Sequence, residues 1–538
     1  MEKTFKLIRG GIIGRISLLD WALSFLGIIS IRLFLDNFVA KTGKAVFLSS
    51  MDVHNYLFFL LVILLVWLVL AIFLKVNPLD ISRLMAWSIF GFIFPAVVDI
   101  LWTGGSVFWS AYLTSDPQTL LSQYISIFGH LPSGIVYFGT KVVFLSGIIL
   151  TALLIFVKTR SFFRALISIP IMYSVLFFMA GFPSFFYYAC TILGGGSLTD
   201  ISSVKVFQFV STGYHIFGLE SVDIMSGLPY NLNFIYFLAT MFLLSILFFW
   251  GAKSKLLAFL KNARYPQLIY HSGLYCMGAA LGYLAYPQNL YLNVFSIAAF
   301  VVLLASIILA WEASVIANDI FDCRIDDITN IDRPLQKNIF STKEYYHLGV
   351  MLFLFSLLGG FLVGPRFMAL LFIYQFIAWI YSAAPFRLKR FPGIATFLSA
   401  VASLTILFLG FMLFSGDNNL QGLSWRIIIL LLLALTLSLP IKDFKDIAGD
   451  KADGVWTIPV LFGEEKGRLI VASGIFISFV SSTFFLNEFK LFWWSLLAGC
   501  GAFWVLTNKK IKPRQLFWWV MGCVSIYGMI LIKILFIK

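Results

Sequence analysis

Two short acidic stretches stand out in a chain that is otherwise apolar. The first is NDIFDCRIDD at 318–327 and the second is KDFKDIAGDKADG at 442–454; together they hold eight of the 25 acidic residues. One spacing, three residues and then four, occurs in both stretches, at Asp319, Asp322 and Asp326 and, 124 residues later, at Asp443, Asp446 and Asp450. This spacing places the three carboxylates of each stretch on one helical face if a single helix runs through it.

Clustered carboxylates repel one another, so such a cluster near a membrane needs compensating cations. Mg²⁺ takes oxygen ligands and is usually held by one or two carboxylates together with substrate phosphates. The two stretches therefore predict a magnesium site that binds a phosphate-bearing substrate. Nearby basic residues can bind the remaining phosphate oxygens, namely Arg324, Arg333, Arg387, Lys389, Lys442 and Lys445. A solvated loop at the end of a span is the alternative for either stretch alone, but the repeated spacing favours a site.

The composition shows which elements must position these residues. The chain has 538 residues, of which 60% are hydrophobic and 12% charged, and its mean hydropathy is +0.94. Repeated apolar runs of about 20 residues can cross a bilayer, so we predict an all-α polytopic protein in contact with lipid and exclude a soluble enzyme. The net charge of +14 collects at the ends of the spans, which indicates membrane orientation and no nucleic-acid partner. The five cysteines are isolated and the five histidines scattered, which excludes a disulfide framework and a zinc site.

About fifteen transmembrane helices are predicted. The first six are 16–35, 56–76, 84–102, 135–157, 162–181 and 232–251; the following nine are 267–285, 292–316, 346–365, 367–384, 394–415, 426–441, 468–486, 491–507 and 516–535. The connections 103–134 and 182–231 are long, nearly free of Lys and Arg, and have room for short interfacial or re-entrant helices. Basic residues follow alternate spans, which predicts an inner-membrane protein with a cytoplasmic N-terminus and the C-terminus on the opposite side. Four spans separate the acidic stretches, so both lie on the same face, which is the cytoplasmic one.

Three segments of the second half resemble the UbiA superfamily of intramembrane prenyltransferases. NDIFDCRID at 318–326, followed by DRPL at 332–335, resembles the first aspartate-rich motif of that family. DFKDIAGDKADGVWTIPVLFG at 443–463 is similar to the second motif, and YSAAPFRLKR at 381–390 is similar to the loop after the fourth helix. The motifs follow the second and sixth of the nine spans, as the nine-helix fold of the family requires. The resemblance covers about 264–538.

The resemblance implies a domain division and a reaction. Residues 253–538 would form a nine-helix UbiA-like bundle, and residues 1–252 a preceding membrane domain of about six helices, whose family and partner are not identified. The partners implied are an isoprenyl diphosphate, which loses diphosphate with Mg²⁺ as cofactor, and a membrane-accessible acceptor that is alkylated. The resemblance implies catalytic roles for Asp319, Asp322, Asp326, Asp443, Asp446 and Asp450. It assigns the metal to Asn318, Asp322, Asp326, Asp446 and Asp450, and the diphosphate to Asn318, Arg324, Arg387, Lys389 and Lys445.

Two other functions compete with prenyl transfer onto an aromatic or lipid-precursor acceptor. Phosphoribosyl transfer onto a polyprenyl phosphate is one, although relatives of that type carry an HPxK-like element where this chain has NIDRP at 330–334. A transporter of cations or lipids is the other, and it requires charged residues near the bilayer midplane beside broken helices. The chain departs from the family pattern after Pro334, where RPLQKNIFS lacks the usual glycine. In the first half, Asp20, Asp36, Asp99 and His215 are near-membrane polar residues for which a structural role is favoured.

Overall fold

A computed structural model describes residues 13–39, 50–103, 112, 115–129, 138–211, 215–217, 219–220, 224–416, 419–452 and 454–536. The chain divides into two compact units, one formed by Met1–His215 with Glu220–Leu256 and the other by Ile216–Leu219 with Leu257–Lys538. Helices make up nearly all of the described structure. Two paired strands of two residues each, β1 (His215–Ile216) and β2 (Leu219–Glu220), are the exception within the described ranges.

The first unit contains the six predicted spans. Its helices are α1 (Leu18–Val39), α2 (Ser50–Leu74), α3 (Ser82–Ser88), α4 (Phe94–Thr103), α5 (Pro117–Ile125), α6 (Phe138–Thr159), α7 (Phe162–Ala180), α8 (Phe182–Leu193), α9 (Ser203–Ser211) and α10 (Ile224–Gly251). The third predicted span is not one helix, because a 3-10 segment at Ile89–Phe92 separates α3 from α4. The short helices α5, α8 and α9 occupy the two long connections, where short helices were expected. Helix α11 (Lys253–Lys261) leads toward the second half of the chain.

In the second unit, the described residues contain nine long helices at the nine predicted positions. They are α12 (Tyr265–Ala285), α13 (Val294–Phe321), α15 (Thr342–Val363), α16 (Pro365–Ser382), α17 (Ile394–Met412), α18 (Trp425–Ser438), α20 (Ile458–Phe485), α21 (Phe492–Thr507) and α22 (Pro513–Phe536). Two short helices, α14 (Cys323–Thr329) and α19 (Ile447–Ala452), carry the ends of the two acidic stretches.

The prediction of an all-α polytopic membrane protein is confirmed. Thirteen helical segments among the described residues are long and apolar enough to cross a membrane. The two predicted spans outside that set are α12 and α16, which form as helices but bury polar side chains such as His271 and Gln375. The polar content of these two helices lowers their mean hydropathy although they pack in the same bundle.

Glycines allow α12 and α17 to approach each other closely. A Cβ built on Gly278 would lie 2.0 Å from the carbonyl oxygen of Leu407, and one built on Gly410 would lie 2.1 Å from that of Tyr275. Small residues at helix contacts are a common means of packing in membranes, where the backbones themselves must touch. The pair α12 and α17 therefore forms a tightly fitted wall of the bundle.

The second acidic stretch packs against the last three helices. Ile441 and Phe444, which flank Lys442 and Asp443, are buried in a hydrophobic core formed with α20, α21 and α22. The buried Arg468 on α20 donates hydrogen bonds to the carbonyl oxygens of Asn508 (3.2 Å) and Ile511 (3.1 Å), which lie between α21 and α22. This packing fixes the position of the backbone that carries the acidic side chains.

Candidate active site

Each acidic stretch is broken at its middle aspartate. Helix α13 ends at Phe321, Asp322 takes φ −98° and ψ 9°, and α14 begins at the next residue. In the second stretch a 3-10 helix, Leu439–Lys445, ends before Asp446, which takes φ −113° and ψ 12° ahead of α19. The expectation of one continuous helical face through each stretch is therefore wrong. Each stretch instead has a change of backbone conformation at its middle aspartate.

The two stretches lie opposite each other. Helix α14 packs against α19, and the carboxylate of Asp450 on α19 is close enough to interact electrostatically with Asp322. Burial, together with repulsion from Asp443 and Asp446, raises the pKa of Asp450 to about 7. Burial also raises the pKa of Asp326 to about 6, although the Arg333 guanidinium opposes the rise. The site is therefore a concentration of carboxylates whose mutual repulsion is only partly relieved by the protein.

Asp319 is the most completely bonded carboxylate of the site. It is 1% exposed and accepts hydrogen bonds on Oδ1 from Arg264 (2.8 Å) and Arg333 (2.9 Å). Its Oδ2 accepts from the Asn262 amide at 2.7 Å and from the Tyr345 hydroxyl at 3.3 Å. With all these donors, Asp319 links the start of α12, the loop after α14 and the start of α15.

The other two aspartates of the first stretch are paired with cations at the edge of the site. Asp322 accepts from the Lys389 ammonium and, at 3.2 Å, from the Arg387 guanidinium. Asp326 pairs with Arg333 and accepts from the Asn330 amide at 3.1 Å. Arg387 and Lys389 belong to the loop after α16, so that loop and the first stretch meet, as the sequence indicated.

The second stretch is held more loosely. Lys445 lies 3.8 Å from Asp446, whose side chain is 34% exposed. Lys442 turns to the Tyr381 hydroxyl at 3.3 Å and lies over its ring. Asn318 accepts a hydrogen bond from the Ser382 hydroxyl at 3.0 Å, which joins α13 to the end of α16. The ion pair of Asp446 is therefore longer than those that Asp319 and Asp322 make with Arg264 (2.8 Å) and Arg387 (3.2 Å).

The structure gathers all but one of the predicted diphosphate contacts at this site. Arg324 is exposed, and in the described part of the chain no ion pair joins it to an aspartate of either stretch. Asn262, Arg264, Tyr345 and Ser382 were not predicted as site residues. Ser382 lies in the segment 381–390, whose resemblance to a family loop is the signal that could have found it. Arg264 is one of the basic residues after the sixth span, and nothing near Asn262 or Tyr345 in the sequence signals that they meet the acidic stretches.

The donor chemistry of the site fits a magnesium ion, although no group of three or more His, Cys, Asp or Glu side chains in the described residues is arranged to hold a metal. The observation that supports the fit is the surroundings of Asp450, which is largely buried and lies near the carboxylates of Asp443, Asp446 and Asp322, so that burial first and repulsion second raise its pKa. Oxygen ligands of this type suit Mg²⁺. The residues predicted to hold it are Asn318, Asp322, Asp326, Asp446 and Asp450.

The first unit contains a buried polar network of its own. His54 on α2 is 3% exposed; its Nδ1 lies 3.0 Å from Oδ1 of Asn233 and its Nε2 lies 2.6 Å from the Tyr112 hydroxyl. The Tyr236 hydroxyl in turn donates to that of Tyr112 at 2.9 Å. These bonds join α2, α10 and the connection between α4 and α5.

The four polar residues noted in the first half have local surroundings or lie outside the described side chains. Asp20 accepts from the Ser17 hydroxyl at 2.6 Å, near the start of α1. Asp99 accepts from the backbone N–H of Gly139 at 2.7 Å, which ties α4 to α6. The side chains of Asp36 and His215 lie outside the described residues.

Comparison with known proteins identifies the second half of the chain. Residues 273–531 match the model of the UbiA prenyltransferase family. A digeranylgeranylglyceryl phosphate synthase from Methanococcoides burtonii is 30% identical over 205 residues, which cover 37% of this chain and 69% of that protein. The synthase of the same name from Pyrococcus furiosus is 26% identical over 166 residues, 31% of this chain and 57% of the relative's length.

Solved structures also match. A UbiA homolog from Archaeoglobus fulgidus bound to GPP and Mg²⁺ covers 51% of this chain and 99% of that chain, with 17% identity and a TM-score of 0.39. A UbiA homolog from Aeropyrum pernix covers 50% and 98%, with 19% identity and a TM-score of 0.38.

The fold and the site define a helical, membrane-integral protein with two facing aspartate clusters framed by arginine and lysine. This chain belongs to the UbiA prenyltransferase family, and the family match lies within its second half.

Proposed function

We propose that the protein transfers a prenyl group from an isoprenyl diphosphate to an acceptor within the membrane, in a reaction that depends on Mg²⁺. The observation that carries the proposal is the opposition of two carboxylate clusters across a site bordered by Arg387, Lys389 and Lys445. Such a site matches a diphosphate held through a divalent cation and basic side chains. The names of the relatives, which are synthases, support the same function.

The described side chains have distinct roles in this proposal. Arg387, Lys389 and Lys445 contact oxygens of the diphosphate and stabilise the negative charge that grows on it as the bond to the prenyl carbon breaks. Arg324, which is exposed, would have to move to join them. Asp443, beside Lys442, completes the second cluster, and its catalytic role rests on its place in the motif. When bound by Asn318, Asp322, Asp326, Asp446 and Asp450, Mg²⁺ would supply additional neutralisation of the leaving diphosphate.

The proposal extends to the domain division of the chain and its orientation in the membrane. We propose that residues 253–538 form the transferase domain and residues 1–252 a separate N-terminal membrane domain. The distribution of Lys and Arg supports an inner-membrane protein with the N-terminus and the site in the cytoplasm and the C-terminus on the opposite side. The acceptor is a lipid-type molecule.

The alternatives receive less support from the site. In the transporter alternative, charged residues would lie beside broken helices near the midplane, but the aspartates lie at helix ends next to basic loops. Phosphoribosyl transfer would use a similar metal and phosphate site, and the products of the reaction distinguish it.

The test is turnover by purified protein in proteoliposomes, with labelled geranylgeranyl and longer polyprenyl diphosphates and a panel of acceptors. Asp322→Ala and Asp446→Ala should each lower the rate of transfer by about 10²-fold or more, because each removes a group that acts on the leaving diphosphate. Asp327→Ala, at an exposed neighbouring carboxylate, is the matched control and should retain parental activity. Folded protein that does not bind diphosphate in a Mg²⁺-dependent manner would refute the transferase proposal.

A further inference from the structure

A second polar group lies deeper in the helical bundle than the aspartates. It consists of His271 on α12, Trp311 and Glu312 on α13, and Tyr374 and Gln375 on α16, which we call the inner polar cluster. The His271 ring lies 4.7 Å from that of Trp311 and 5.9 Å from that of Tyr374. Glu312 interacts electrostatically with Tyr374 as well as with Arg264 and Asp319. Four of the five residues, from three helices, therefore interact with one another, and Gln375 follows Tyr374 on α16.

The register of the helices places this cluster directly behind the aspartate site. Arg264, at the start of α12, bonds to Asp319, near the end of α13. His271 lies seven residues after Arg264 on α12, and Glu312 lies seven residues before Asp319 on α13. On α16, Gln375 likewise lies seven residues before Ser382, which bonds to Asn318. Seven residues are two helical turns, or about 10 Å along the axis. The inner cluster is thus a second layer, on the helix faces that build the aspartate site.

Four polar atoms of the cluster are buried and unsatisfied. Glu312 Oε1, Gln375 Oε1, His271 Nδ1 and Trp311 Nε1 are all buried without a hydrogen-bond partner among the described residues. Gln375 uses its amide nitrogen to donate to Ser356 at 3.3 Å, which leaves the oxygen directed elsewhere. Buried polar groups are normally bonded, so four such atoms in one cluster indicate a molecule that supplies the missing partners.

The chemistry of these atoms selects the molecule. The two side-chain oxygens accept hydrogen bonds and so require a donor, while the Trp311 N–H requires an acceptor. A hydroxyl group provides both, whereas a carboxylate provides acceptors alone and would face the acidic Glu312. The cluster itself contains no Lys or Arg to balance an anion.

We propose that the inner polar cluster binds the hydroxyl group of a lipid alcohol, the acceptor of the transfer reaction, and that Glu312 takes the proton of that hydroxyl. This inference rests on the proposed function. The bond between the prenyl C1 and the diphosphate oxygen breaks, and the diphosphate leaves with the electron pair. The hydroxyl oxygen forms a new bond to C1 to give an ether, and its proton passes to the Glu312 carboxylate. The charges and atoms balance without a further reactant.

The test compares two acceptor probes, 1-O-hexadecylglycerol and 4-hydroxybenzoate, with labelled geranylgeranyl diphosphate in proteoliposomes. The parent should form the ether of hexadecylglycerol. Glu312→Gln keeps the shape of the side chain but cannot take a proton as readily, so it should lower this rate by about 10²-fold or more. Mg²⁺-dependent binding of geranylgeranyl diphosphate should stay within about threefold of the parent, since the aspartate site is unchanged. Glu465→Gln, at an exposed carboxylate on α20, is the matched control for the substitution.

A second variant distinguishes the proposed role of Glu312 from a purely structural one. Glu312→Met removes the unpartnered oxygen and should not lower the melting temperature, yet it should abolish ether formation. Parental rates in Glu312→Gln would overturn the proposal, as would alkylation of 4-hydroxybenzoate in preference to the alcohol. Mg²⁺-dependent diphosphate binding without alkylation of hexadecylglycerol would overturn the assignment of the hydroxyl and leave the transferase function intact. Loss of that binding in the parent itself would instead refute the proposed function.

Discussion

Asp319 is expected to hold the site together without binding the metal, and Asp319→Asn separates these two roles. The carboxylate is 1% exposed and lies against two arginines whose side chains are 26% and 15% exposed. Asparagine keeps the shape but removes the charge, so Arg264 loses its ion pair and Arg333 retains only Asp326. Breaking a buried pair costs about 3–5 kcal/mol, and the partial exposure of both arginines reduces this to about 2–4 kcal/mol.

The measurement is thermal unfolding of the purified protein in detergent, followed by tryptophan fluorescence. A loss of this size should lower the melting temperature by roughly 4–10 °C. Below that temperature, Mg²⁺-dependent diphosphate binding should remain within about threefold of the parent, because Asp322, Asp446 and the edge cations are untouched. Asp327→Asn is the control, and its melting temperature should change by about 1 °C or less, since surface substitutions have small effects.

Two results would refute this reasoning. If Asp319→Asn melts with the parent, the four hydrogen bonds to the carboxylate contribute little and the site is held by other contacts. If the variant is folded but does not bind diphosphate with Mg²⁺, Asp319 acts directly at the metal or the diphosphate. Its predicted catalytic role would then take the place of the positioning role.

Three further predictions concern packing, the first unit and pH. Gly278→Ala places a methyl group 2.0 Å from a backbone oxygen of α17 and should cost about 1–3 kcal/mol, whereas Gly273→Ala on the same helix meets nothing within 4 Å and should be neutral or stabilising; melting temperatures of the two variants test this. Tyr112→Phe removes the hydroxyl at the centre of the buried network of the first unit and should cost about 1–3 kcal/mol of stability, measured in the same way. Because the pKa of Asp450 is raised to about 7, this carboxylate is increasingly protonated below that pH and Mg²⁺ binding should weaken by up to about tenfold per pH unit. A titration with Mg²⁺ at pH 6 and pH 8 tests the sign, and Asp450→Asn should flatten the dependence.

The sequence predicted the helices well because a membrane span depends on its own composition. Apolar runs located the nine long helices of the second unit, and the acidic motifs located the residues that meet at the site. The backbone break at Asp322 and Asp446 was not predicted, because a three-then-four spacing is compatible with a continuous helix. Phe444, next to Asp443, packs in the core beneath the second stretch, and this contact with distant helices is not visible in the spacing either.

Contacts between distant segments were beyond the reach of the sequence pattern. Asn262, Tyr345 and Ser382 come within hydrogen-bonding distance of the first stretch only when three other helices are assembled around it. Glu312 was hidden for a different reason, since it lies inside an apolar run that was interpreted as a span. A single carboxylate in such a run is visible in the sequence, but whether it has a partner depends on the neighbouring helices.

The aspartate site, which is the outer layer, and the inner polar cluster differ in how their polar groups are partnered, and this difference supports different roles for the two layers. In the outer layer nearly every first-stretch carboxylate has a protein cation, as Asp322 has with Lys389. In the inner layer four polar atoms have no partner in the described structure, and each such atom costs about 1–3 kcal/mol when buried. A bundle that needed only to fold would be more stable with apolar side chains at Glu312 and Gln375, because each has a buried oxygen without a hydrogen-bond partner among the described residues. The cost is offset when a hydroxyl-bearing molecule enters, so the inner layer is expected to be most stable with the acceptor bound. Addition of hexadecylglycerol should therefore raise the melting temperature of the parent and leave that of Glu312→Met unchanged.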